Sequence, residues 1–227
     1  MDHRDIFADA SALPVFNSHA IESQLHRIPG LSERYVYLND DVFFGRPVPA
    51  STFFSPGGLS KYFPSKAVLA AGVPSARDMP VLSAAKHNRS LIENHFGRIV
   101  SHKFKHTPHP QLRSVIEDME RSMPEIFESV ARSRVRHPSD VSISSALHHF
   151  WGVATGRSVE GRIRYDYVDL AQAGTPVRLA TMSARTDLDV FCLNDTHLPL
   201  ERAQEVDRVT RTLLDQRFPV QSSFELR

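Results

Sequence analysis

The stretch Tyr35-Val-Tyr-Leu-Asn-Asp-Asp-Val-Phe-Phe-Gly45 constrains the chain more than any other. A short β-branched and aromatic run stops at Asn39-Asp40-Asp41, and a second apolar run, Val42-Phe43-Phe44, begins at once. The first run reads as a buried strand, because both of its alternating faces are apolar. Three polar side chains at the end of such a strand are costly to bury. In α/β folds they sit at the sheet edge, where ligands bind. Two adjacent carboxylates beside an amide make an all-oxygen cluster suited to Mg²⁺ or Mn²⁺. Asn-Asp is also common turn chemistry, and spacing alone leaves both readings open.

A chain of 227 residues can bury a substantial core in one large domain. Its charges nearly cancel, to a formal +1, so charge points neither to a nucleic-acid partner nor to disorder. One cysteine, Cys192, excludes an internal disulfide and a cysteine zinc cage, and its apolar surroundings suggest a buried small hydrophobe. The sequence shows no signal peptide and no apolar run long enough for a bilayer, which makes a cytoplasmic protein the expectation. The opening residues Met1–Ala10 have no helical period and no strand pattern. They read like the middle of a loop, a first hint of a fragment.

Along the chain, Asn17 or Ser18 can cap a helix with Ile21, Leu25 and Ile28 on one face, ended by Pro29-Gly30. Residues 45–80 are rich in Pro, Gly and Ser and read as an irregular excursion or a pair of hairpins. Helical periodicity follows over residues 81–97. A basic, histidine-rich connection over residues 101–110 leads to an amphipathic helix or helix pair over 111–134, interrupted near Pro124. A second basic connection precedes a helix capped by Ser139 or Asp140 and ending at Gly156. Strands are expected over 162–169 and 176–182. The run Asp189-Val-Phe-Cys-Leu-Asn-Asp195 repeats the opening design, and a helix follows from about Pro199. Residues 219–227 read as a last strand or a frayed end.

Four groups could carry chemistry. Asn39-Asp40-Asp41 is the first. The second is His106-Thr-Pro-His109, where two prolines forbid continuous helix and a histidine can act as base or ligand. The third is Arg134-Val-Arg136-His137, where a guanidinium beside a helix start can hold phosphate. The fourth is Asn194-Asp195. On pattern alone surface solvation is the simpler reading of the second and third groups, and the fourth is weak by itself. No phosphate-binding glycine loop, nucleophile elbow or His-Glu-x-x-His occurs, which argues against ordinary kinases, α/β-hydrolases and zincins. An oxygen-ligand metal site with His and Arg nearby fits phosphoryl or glycosyl transfer from a nucleotide sugar.

Three blocks carry a family resemblance. Residues 17–45, from Asn17-Ser-His-Ala-Ile-Glu through Leu-Asn-Asp-Asp-Val-Phe-Phe-Gly45, resemble the second conserved region of the Stealth proteins. The helical part, residues 80–158 with His106-Thr-Pro-His and Arg136-His-Pro-Ser-Asp140, resembles the third. Residues 185–200, with Cys192-Leu-Asn-Asp195, resemble the fourth. The resemblance implies one catalytic domain over residues 1–227, with an α/β, glycosyltransferase-like (Rossmann-type) sheet and a helical insertion. It implies transfer of a hexose-1-phosphate from a nucleotide sugar, usually a UDP-sugar, to a hydroxyl of a polysaccharide or glycan acceptor. The product is a phosphodiester of capsule or exopolysaccharide.

By the same resemblance, Asp41 and Asp40 serve Mg²⁺ or Mn²⁺ and the diphosphate. His106 acts on the acceptor hydroxyl, and Arg136 holds phosphate. Asn39, Asn194 and Asp195 complete the site, and Asn17, Glu22 and Arg27 are expected at the substrate. No nucleic acid is implied; peripheral association with membrane-bound capsule machinery is. Family members begin with a strand of the type Ile-Asp-x-Val-Tyr-Thr-Trp-Val-Asn-Gly, which is missing here. The expectation is therefore an N-terminally truncated domain, weakly active by itself. A non-catalytic interaction module and a metal-dependent glycosyltransferase remain as alternatives.

Overall fold

A computed structural model describes residues 1–69, 71–75 and 77–223. In chain order its elements are α1 (Ser18–Glu22), β1 (Arg34–Tyr37), β2 (Val42–Phe44), β3 (Ser60–Tyr62), β4 (Pro64–Val68) and α2 (Pro80–Phe96). There follow β5 (His102–Phe104), β6 (His109–Leu112), α3 (Arg113–Ser122), α4 (Pro124–Ala131) and α5 (His148–Ala154). The last are β7 (Ser158–Glu160), β8 (Tyr165–Asp169), α6 (Thr175–Ser183), β9 (Val190–Asn194) and α7 (Leu200–Arg217). These elements form two compact units. The first comprises residues 1–37, 50–105 and 109–162; the second comprises 38–49, 106–108 and 163–227. No described helix is long and apolar enough to cross a membrane.

The first unit is mainly helical. The expected helix pair is present as α3 and α4, and it breaks at Met123, whose φ of −144° leaves the helical region just before Pro124. Val115, Ile116 and Met119 of α3 and Phe127 of α4 pack with Ile143 and Leu147, all essentially without exposure. Removing each such side chain from water contributes about 2 kcal/mol. α2 starts on Pro80 and ends on Gly97, whose left-handed φ of 63° closes the last turn. The sheets are small. β1 pairs antiparallel with β6, β3 parallel with β7, and β4 antiparallel with β5. β3 and β4 therefore form no hairpin with each other; each finds a strand partner far along the chain, and Ser60 of β3 also bridges locally to Phe54.

The second unit holds the longest sheet among the described residues, in the order β2-β9-β8. β8 and β9 run parallel and are joined through α6, a βαβ unit. β2 runs antiparallel to β9, with Val42 opposite Cys192. Period-two alternation gives the sheet two different faces. Phe43, Phe191, Leu193 and Val168 pack with Leu179 and Met182 of α6 and Leu213 of α7. The opposite face carries Tyr165, Tyr167, Cys192 and Asn194, in cross-strand register. Gly45 ends β2 with its N–H on the Asp189 carbonyl. A Cβ there would lie 2.6 Å from the Leu188 oxygen, so only glycine fits.

Four expectations change. Residues 176–182 lie in a helix, α6: Pro176 suits the first turn, and Leu179 and Met182 recur at helical spacing. The first helix stops at Glu22 and resumes as a 3₁₀ turn over Leu25–Arg27, because the Ser23 hydroxyl donates back to the Ala20 carbonyl. Asp140 caps no helix. Its carboxylate accepts from the His137 N–H and the Asn17 amide, and the helical run begins at Ile143 in a π turn. The run before the acids, expected as a buried strand, is only partly buried as β1 and pairs with β6, whereas the strand beside β9 is the run after the acids, β2. The sheets show a mixed α/β architecture with one βαβ unit. Within the expected tail, residues 224–227 lie outside the described residues.

Candidate active site

The sheet of the second unit ends, at the carboxyl ends of β8 and β9, in Asp169 and Asn194 side by side. Because β2 runs antiparallel, its preceding residues Asn39-Asp40-Asp41 arrive at this same edge. Ligand sites of open α/β sheets lie at the carboxyl ends of parallel strands. The Leu193 N–H donates to the Asp41 carbonyl at 2.9 Å, which extends the β2–β9 ladder up to the acid.

Three donors surround the Asp41 carboxylate. His106 Nε2 lies 2.9 Å from Oδ1, Asn194 Nδ2 donates to Oδ2 at 2.8 Å, and the Cys192 thiol donates to Oδ2 at 3.3 Å. Burial raises the Asp41 pKa, but the hydrogen bond and charge of His106, with the Asn194 and Cys192 donors, outweigh it and hold the pKa at about 2. Burial, followed by the Asp41 charge, pushes the Cys192 thiol well up, so it stays a donor. A carboxylate accepts only, so the short contact assigns a proton to His106 Nε2 and makes Nδ1 the basic nitrogen. Asn39 Nδ2 stands 3.3 Å from the same Nε2, and the Asn39 amide oxygen has no partner among the described residues. His106 stands two residues before Pro108, and it enters this unit on the three-residue segment 106–108.

Two tyrosines of β8 belong to this face. Tyr165 and Tyr167 are both shifted upward. Burial is the main cause and the Asp41 charge adds to it; Tyr167 rises to about 12. Tyr167 keeps 38% of its surface exposed. Sequence reading missed both tyrosines and the donor role of Cys192. The signal was the alternation of Tyr165, Tyr167 and Asp169, which puts all three on one strand face.

The sequence-nominated residues thus divide. Asn39, Asp41, His106 and Asn194 are brought together. Asp40 is exposed and makes no hydrogen bond among the described residues. Asp195 accepts from the Leu198 N–H in the turn before α7. The other four lie in the first unit, each engaged there. Asn17 is fully buried, capping α1 and donating to Asp140 and to the Ser133 carbonyl, so its amide is committed within the fold. Glu22 is 5% exposed and accepts from the Tyr37 hydroxyl at 3.1 Å. Arg27 pairs with Glu120 at 2.7 Å, and His26 takes the other oxygen of that carboxylate. Arg136 is exposed and donates to the Ser18 hydroxyl.

A metal can be weighed on the donors present. Asp41, His106 and Cys192 place ligand atoms within 4.8 Å of one another, but a protonated thiol is a poor ligand. A carboxylate has roughly four acceptor positions, of which three are used at Asp41. The position left on Oδ1 and the unengaged Asp40 carboxylate are hard oxygen donors, the type Mg²⁺ and Mn²⁺ take. In donor type Asp40 and Asp41 suit such an ion, while the ligand atoms that converge belong to Asp41, His106 and Cys192.

Comparison with known proteins gives one consistent set of matches. Residues 1–62 match the description Stealth protein CR2, conserved region 2. Residues 105–152 match conserved region 3, and residues 182–227 match conserved region 4. An exopolysaccharide phosphotransferase of Streptomyces coelicolor is 46% identical over 99% of this chain and 38% of its own length. A second from the same organism is 44% identical over 99% of this chain and 24% of its own. The exopolysaccharide phosphotransferase CpsY of Mycobacterium tuberculosis is 40% identical over 97% of this chain and 42% of its own. The chain therefore spans well under half the length of these curated relatives.

Proposed function

The chain belongs to the Stealth family, and on that premise we propose that it carries the phosphotransfer site of an exopolysaccharide-building enzyme. The proposed reaction moves a sugar-1-phosphate from a nucleotide sugar to a hydroxyl of a glycan acceptor. A phosphodiester forms, and the nucleoside monophosphate leaves. One observation carries the reading: a histidine is hydrogen-bonded to a carboxylate that stays ionised, at the ligand-binding edge of an α/β sheet.

His106 takes the acceptor proton at Nδ1, while its Nε2–H stays on Asp41. The Asp41 charge stabilises the imidazolium that results, and Asn194 and Cys192 keep that carboxylate from turning away. Tyr167 offers an aromatic face on which an acceptor sugar can rest. A divalent ion on Asp40 and Asp41 would neutralise charge on the diphosphate. Arg136 is assigned to phosphate on family resemblance alone.

The test uses His106→Ala in the intact protein with a UDP-sugar and an oligosaccharide acceptor. Loss of roughly 10²-fold or more in rate, with an unchanged unfolding midpoint, is the expected result. A near-normal rate refutes the assignment. Phosphorus NMR of the parent's product should show a phosphodiester; a product without phosphorus would instead mark a glycosyltransferase.

A further inference from the structure

The first unit contains a pocket of about 270 Å³ that no part of the proposed reaction uses. Its walls are Ile92 of α2, Phe104 of β5 and Phe150 and Val153 of α5, with Tyr62 of β3 beside them. Phe104 and Phe150 have ring centroids 4.6 Å apart, which fixes one wall. Arg98, His102 and Lys103 stand exposed among the lining residues, and Ile99 beside them leaves 65% of its surface in water. No acidic residue lines the pocket, and Arg98 and Lys103 make no ion pair among the described residues. Burial first and the Glu160 charge second raise the Tyr62 hydroxyl's pKa, so Arg98 and Lys103, not Tyr62, are the groups offered to an anion.

An apolar interior with an uncompensated cationic lining selects for ligands that combine a chain with an anionic head. An apolar chain would be expelled from water by the walls, and a phosphate would draw two or three charge-assisted hydrogen bonds from the guanidinium and ammonium groups. A neutral chain would leave the cations unused, and a free anion would leave the walls wet. The volume lies near the ~300 Å³ lower limit of small-molecule sites, which restricts the occupant to a short chain segment. We propose that this pocket binds an amphiphilic phosphate monoester, with its hydrocarbon chain between Phe104, Phe150 and Val153 and its phosphate on Arg98, His102 and Lys103. This site is independent of the reaction assigned to Asp41 and His106.

The experiment is calorimetric titration of this chain with geranyl phosphate below its micelle concentration, beside geraniol and inorganic phosphate. Saturable one-to-one binding of geranyl phosphate is expected, at least tenfold tighter than either half-molecule. Val153→Trp, which fills the pocket, and the pair Arg98→Ala with Lys103→Ala should each weaken it at least tenfold. Equal binding by either variant overturns the proposal, as does geraniol binding as tightly as its phosphate. Inorganic phosphate binding as tightly would reduce the site to a surface anion contact and also overturn it. If Val153→Trp fails to fold, methyl NMR of the parent decides. The Ile92 and Ile99 methyl signals must shift at saturation, and unmoved signals refute the pocket.

Discussion

Two carboxylates in this molecule have almost the same partners and opposite surroundings. Asp140, in the first unit, accepts from Asn17 at 2.7 Å and lies 3.7 Å from His19. Asp41, in the second, accepts from Asn194 at 2.8 Å and lies 2.9 Å from His106. Burial opposes ionisation in both cases; His19, 3.7 Å from Asp140 and too far for a hydrogen bond, and the His106 hydrogen bond on Asp41 lead the groups that hold both pKa values at about 2. Exposure separates them. The Asp140 and His19 side chains are 1% and 6% exposed, those of Asp41 and His106 17% and 30%. A closed aspartate–asparagine–histidine set can only fasten chain segments; a partly open one can also meet a substrate. Residue types do not distinguish structure from chemistry here, and accessibility does.

The largest expected effect separates the two sets directly. Asp41→Asn in the intact protein should cost roughly 10²- to 10⁴-fold in transfer, because the imidazole loses the carboxylate that stabilises its charged form. Its stability should fall by less than about 2 kcal/mol, the amount linked to the depressed Asp41 pKa before the partly wet site screens it. Asp140→Ala should do the reverse. It removes the acceptor of the buried Asn17 amide and of the His137 N–H and should cost about 3 kcal/mol in urea unfolding, with the rate per folded molecule retained. If Asp41→Asn destabilised as much and left the rate intact, the distinction would collapse.

A smaller effect lies in acid. The folded pKa of Asp140, about 2, is below its ordinary 3.8. Its contribution is therefore fully present above the unfolded value and is lost as pH falls through the folded one. Between about pH 5 and pH 2 the parent should lose about 2 kcal/mol that Asp140→Asn no longer has to lose. Parallel acid limbs in the two proteins would contradict this. The smallest effect sharpens the open set alone. Tyr167→Phe should leave acceptor KM within about twofold, whereas Tyr167→Ala should raise it about fivefold, the loss of about 1 kcal/mol of ring contact. Equal KM values for all three proteins would remove Tyr167 from the site.

Much of this was legible in the sequence where the signal is local. The α3–α4 pair announced itself by apolar spacing and by Pro124, and the acid cluster by its abrupt place between two apolar runs. What failed needed information from afar. Residues 176–182 alternate well enough to resemble a strand, and only Pro176 at a first helical turn argued otherwise. Asn17 and Asn194 are chemically identical on paper, yet one is sealed against Asp140 and the other faces Asp41. His106 could be joined to Asp41 only through family resemblance, because no spacing rule spans the 65 residues between them. Cys192 looked like filler, since a thiol's role as a donor depends on which carboxylate the fold sets beside it.

The second unit is written in three instalments, and its middle one is three residues long. In chain order Asp41 is made first, His106 after it, and Cys192 and Asn194 last of the four. The partners that hold Asp41 are therefore made 151 and 153 residues after it. Closing contacts across such separations is the slow part of folding. A nascent or prematurely terminated chain can assemble helices of the first unit, but it carries no organised acid–histidine pair. On the proposed reading activity waits for β9, and chains cut short before it are expected to be silent.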